Sequence, residues 1–94
     1  MKLGSFSKQP SEKISLSIKY DRALDDDDEV KEVLFCSVLP ADELQVVPVL
    51  VGTKRVRLFT EAGVDTSIYK ITLRVLTSNG EEFEDEIICK VNDK

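Results

Sequence analysis

The side chains of this chain that could do chemistry are carboxylates, two thiols and two phenols, because the sequence contains no histidine. That absence removes the usual general base near neutral pH and the commonest neutral metal ligand. Cys36 and Cys89 have no base near them in sequence, so neither reads as an activated nucleophile. The acidic run Asp25, Asp26, Asp27, Asp28 and Glu29 offers the hard oxygens that calcium takes. Consecutive acids do not reproduce the alternating ligand spacing of an EF-hand loop, however, and five in a row repel one another, so the run reads as a solvated loop. The remaining carboxylates are spread at a density that signals solubility rather than catalysis. The residues therefore point away from an enzyme, and no catalytic, cofactor-binding or metal-ligating residue is assigned. A calcium-stabilised adhesion-type module at the acidic run is the alternative that a calcium titration would separate.

The formal charge of -5 makes a sugar-phosphate backbone repel the average surface. Lys54, Arg55 and Arg57 come nearest to a basic stripe, but without interleaved aromatics they read as the exposed face of a strand, so no nucleic-acid partner is expected. The opening MKLGSFSKQP has one early lysine and no apolar stretch of signal-peptide length, and residues 46–51 are short and interrupted by Pro48. The expectation is a protein neither exported by a standard route nor inserted in a membrane. Its two cysteines are then reduced thiols acting as small apolar side chains.

The elements that would position these groups are strands. In residues 13–20 the even positions Ile14, Leu16, Ile18 and Tyr20 are apolar and the odd ones polar, which is a strand with one buried face. Residues 30–39 are apolar on both parities around Val33, Leu34, Phe35 and Cys36, which places this strand centrally in a sheet, and Pro40 ends it. Residues 43–51 contain Pro48 and belong at a sheet edge or an irregular crossing. Val56 and Leu58 face away from Arg55 and Arg57 in the next strand, after a turn at Gly52. In residues 69–75 the apolar side chains Tyr69, Ile71, Leu73 and Val75 alternate with polar ones. Phe83, Ile87, Cys89 and Val91 do the same in residues 82–91, opposite Glu82, Glu84 and Glu86. A short strand around residues 3–8 brings the count to seven.

Seven short strands separated by turn signals, with no helical periodicity, predict an all-β, immunoglobulin-like antiparallel β-sandwich, one domain over residues 1–94 with no inter-sheet disulfide. A closed or partly open barrel is the other arrangement this strand count allows.

Register can be read at the last hairpin. A two-residue Asn79-Gly80 loop would set Val75 opposite Glu84 and Leu73 opposite Glu86, placing glutamates against the apolar face. A three-residue loop, Ser78-Asn79-Gly80 with Gly80 left-handed, sets Val75 opposite Phe83 and Ile71 opposite Ile87. Burying each Phe or Ile stabilises by roughly 1.5 to 3 kcal/mol, so burial selects the longer loop.

The stretch VDTSIYKITL carries a further signal. In immunoglobulin-type sandwiches a tyrosine near the start of strand F turns its hydroxyl to the backbone a few residues upstream. Asp65-Thr66-Ser67-Ile68-Tyr69-Lys70-Ile71 resembles the immunoglobulin D-x-A-x-Y-x-C pattern, with Ser67 at the small-residue position and Ile71 where the second cysteine would stand. Tyr69, Asp65 and Gly80 are thus the candidate structural residues. If Tyr69 is instead a plain core aromatic, its hydroxyl makes no such bond.

Two segments resemble a known family. Residues 6–24, FSKQPSEKISLSIKYDRAL, resemble the opening of small immunoglobulin-like (fiber-fold) structural proteins of bacteriophages and prophages. Residues 65–91, DTSIYKITLRVLTSNGEEFEDEIICKV, resemble their ending. The middle does not share the resemblance, and Lys19 and Tyr20 stand where that family often has an aspartate and a tryptophan. The resemblance implies a non-enzymatic virion structural or assembly module of tail or head-decoration type, made in the cytoplasm of a bacterial host. Its partners would be other virion or assembly proteins, a second copy of itself among them, with no cofactor and no small-molecule substrate. A cytoplasmic bacterial protein-interaction domain is the alternative.

Overall fold

Alternating apolar and polar side chains form seven strands in the computed structural model, which describes residues 2–93 and contains no helix among them. In chain order they are β1 (Lys2–Lys8), β2 (Ile14–Lys19), β3 (Val30–Leu39), β4 (Leu44–Val51), β5 (Arg55–Ala62), β6 (Ser67–Thr77) and β7 (Glu82–Val91). One sheet has the order β1-β7-β6-β3 and the other β2-β5-β4. Their inner faces enclose the core, in which Val56, Leu58, Tyr69, Ile71, Leu73, Val75, Cys89 and Val91 are fully buried. The fold is an immunoglobulin-like sandwich, and all its strand pairs but one are antiparallel. The exception is β1, which runs parallel to β7, with Phe6 beside Cys89 and Lys8 beside Val91. The crossing between β1 and β2 carries the chain from one sheet to the other, so β1 closes the edge of β7 instead of pairing with β2.

The β6–β7 hairpin has the register that burial selects. Val75 lies opposite Phe83, Ile71 opposite Ile87 and Arg74 opposite Glu84. The Thr77 amide donates to the Glu81 carbonyl at 2.8 Å, closing a three-residue loop in which Gly80 has φ of 86°.

One expectation about position fails. β3 is an edge strand, not a central one. Its run of apolar residues spans two register irregularities against β6, between Val30 and Glu32 and between Val33 and Phe35. Such irregularities shift which parity faces the core. Val33, Cys36 and Val38 pack inward, while Leu34, Phe35 and Leu39 remain exposed. β4, with Pro48, is the edge of the other sheet, as proline requires.

Three loops interlock at one end of the sandwich. Asp28 is 1% exposed, so the acidic run is not uniformly solvated. Its carboxylate accepts from the amides of Glu29 at 2.8 Å and Asn79 at 3.1 Å. The Ser78 amide donates to the Glu29 carbonyl and the Val30 amide to the Thr53 carbonyl. Lys54 Nζ donates to the Asp26 carbonyl at 3.3 Å, so the acidic loop and the start of the basic strand share one end of the molecule.

Candidate functional site

The opposite end is organised around Tyr69. The hydrophobic ring is fully buried. Its hydroxyl accepts from the Val64 amide at 2.8 Å and donates to a Glu43 carboxylate oxygen at 2.8 Å. The Glu43 carbonyl in turn accepts from the Gly63 amide. Gly63 has φ of 99°, and a Cβ there would sit 3.0 Å from Val91 Cγ2 and 3.6 Å from the Tyr69 ring. Only glycine fits both that backbone conformation and that space. The Asp65 carboxylate accepts from the Asp93 amide at 2.8 Å, fixing the segment that follows β7 to the same corner. Tyr69 and Asp65 are therefore brought together, while Gly80 lies in the interlocked loops at the other end.

Two buried charged groups, Asp85 and Lys8, carry no signal that the sequence analysis assigns. Asp85 sits on the inward face of β7 opposite Leu73, 3% exposed, and accepts from the Tyr20 hydroxyl at 2.7 Å. Tyr20 stacks on Phe83 with ring centroids 6.1 Å apart. Burial, then the hydrogen bond to Asp85 and its charge, push the Tyr20 phenol well above the usual tyrosine range. The pair borders a pocket of about 370 Å³ whose lining includes Ile18, Ala23 and Phe83 beside the charged Lys19, Arg22 and Glu82. An acid in the apolar row of β7 was the available signal. Lys8 is the second group: it is buried, and its ammonium donates to the carbonyls of Gln9 and Ala62. Both arrangements are closed polar contacts. Among the described residues no three acidic or thiol groups converge as metal ligands.

The cysteines are free thiols on β3 and β7, with β6 between those strands. Two strand spacings, roughly 9 to 10 Å, exceed what a disulfide spans. Burial raises both thiol pKa values, and the nearby Lys8 charge partly offsets this at Cys89. Unreactive thiols follow from that environment.

What remains open to a partner is a surface. Among the described residues, eight of the ten exposed large apolar side chains belong to three consecutive strands: Leu34, Phe35 and Leu39 on β3, Val47, Val49, Leu50 and Val51 on β4, and Phe59 on β5. They wrap one flank of the sandwich, where β3 and β4 adjoin, whereas β2 contributes none. Concentration of apolar surface on one flank marks an interaction site more often than scattered exposure does.

Residues 8–90 match the model of the protein family described as podophage GP4 fiber-tail adaptor protein gp77. No curated protein matches the chain.

Proposed function

The chain belongs to the podophage GP4 fiber-tail adaptor protein gp77 family and is a bacteriophage structural protein; on that premise we propose that it is a non-enzymatic adaptor, joining a fiber to the tail of the virion. The apolar flank on β3, β4 and β5 carries this reading, because an adaptor must present surface that is covered only on assembly. Its partners are other virion proteins, which it meets after synthesis in the host cytoplasm.

The test is assembly without it. Particles produced from a genome lacking this chain should have complete heads and tails but carry no fibers, and adding the purified protein should restore fiber attachment by electron microscopy. Fibers present on the depleted particles, or a defect confined to the head surface, would overturn the tail assignment in favour of head decoration.

A further inference from the structure

The outer face of the β2-β5-β4 sheet has a composition that differs from the rest of the molecule. The register sets Ser15, Phe59 and Val47 in one row, Ser17, Arg57 and Val49 in the next, and Lys19, Arg55 and Val51 in the third. β4 thus presents a stripe of three exposed valines beside a column of two arginines and a phenylalanine. No carboxylate lies in these three rows. The next acid, Glu61, is met by Lys13 at 3.3 Å. A chain with formal charge -5 therefore carries a locally cationic, apolar face.

Arg57 on this face is also held in place. Arg57 Nε donates to Ser15 Oγ at 3.0 Å, and its guanidinium lies 5.8 Å from the centre of the Phe59 ring. A fixed guanidinium loses less freedom on binding than a mobile one. Next to Phe59 a depression of about 290 Å³, bordered by Ser15, Gln45 and Val47 and by the Lys13–Glu61 ion pair, is large enough for an apolar side chain. Phe59 borders this depression and Arg57 stands in the adjoining row, and aromatic and arginine side chains are enriched at the energetically dominant centres of protein interfaces.

We infer that this face docks a different protein, through an apolar surface fringed with carboxylates that meet Lys19, Arg55 and Arg57. The inference rests on the adaptor reading. Two copies packed through the face would bring their cations together. The glutamates on the outer face of the other sheet are poor substitutes in a second copy, because Glu82 and Glu86 already face Arg74 and Lys70 within their own chain. Nucleic acid would satisfy the cations but leave the valine stripe wet. Strand addition at the neighbouring β3 edge is opposed by its two irregularities, which favours the face over that edge.

The probe is the depleted, fiberless particle, together with purified fiber, bound by the full chain carrying Arg55→Glu with Arg57→Glu, or Val47→Ser with Val49→Ser. Lys90→Glu, on the outer face of the other sheet, is the control. Each double variant should bind one of the two probes about ten-fold more weakly or worse, and added salt should weaken the wild type more than the charge-reversed form. Lys90→Glu should bind as the wild type does. Equal binding by wild type and both double variants would overturn the inference and leave the adaptor reading standing. Failure of the wild type to bind particle or fiber would take down both. A dimer of the pure protein by sedimentation that is lost on charge reversal would make a second copy the occupant, and would also overturn it. Should the glutamate pair melt early, Arg55→Gln with Arg57→Gln preserves the test with a smaller expected loss.

Discussion

Residue by residue, the polar groups that matter here are those sealed in the interior. Tyr69→Phe removes a donor from Glu43 and an acceptor from Val64, and is expected to cost about 1 to 2 kcal/mol. The check is a lowered urea midpoint at unchanged slope. Tyr20→Phe leaves Asp85 buried without its donor and should cost about 1 to 3 kcal/mol at neutral pH. Its pH dependence has a definite sign. The folded state holds the Tyr20 proton above the unfolded value of about 10, so stability is full below that pH and falls as pH rises beyond it. Cys36 and Cys89, also raised, add slopes of the same sign. The measurement is therefore a comparison: urea unfolding from neutral to alkaline pH should fall less steeply in Tyr20→Phe than in the wild type. Tyr69 was legible in the sequence because its corner is a local pattern. Asp28 was not, because five neighbouring acids look alike until the hairpin loop at Asn79 selects one of them.

For the strands and turns, alternation reported which side chains share a face and said nothing reliable about which strands are neighbours. The β6–β7 register could be derived because a one-residue slip would have buried glutamates. The edge position of β3 could not, since its irregularities and its outward apolar side chains mimic the two-faced hydrophobicity of a central strand. The interaction face was equally hidden. Arg55, Arg57 and Phe59 alternate in sequence and so share a face, but the valines beside them are known only once β4 is paired with β5. The two demanding turns should respond unequally to alanine. At Gly80 a Cβ meets open space, and only the φ of 86° is at stake, costing roughly 1 to 2 kcal/mol. At Gly63 the same backbone penalty adds to a 3.0 Å collision with Val91, so the loss should be larger, about 2 to 4 kcal/mol. Thermal melts of the two variants side by side would decide this, and equal losses would refute it.

Taken whole, the sandwich is long for its size, with extents of 44 × 19 × 18 Å, and its two ends are tied by separate polar contacts. Asp28 fastens the loops at one end and the Tyr69–Gly63 corner closes the other. Losses from Asp28→Ala and Gly63→Ala should then add to within about 0.5 kcal/mol in the double variant, within one cooperative transition. A larger deviation would mean that the ends communicate through the core. The parallel pairing of β1 with β7 bears on how the molecule answers load. Tension between Lys2 and Val91 acts along these two strands, so that their backbone bonds are sheared together instead of being peeled open in succession. A part that hangs from a particle by its two extremities is strongest when strained in that direction.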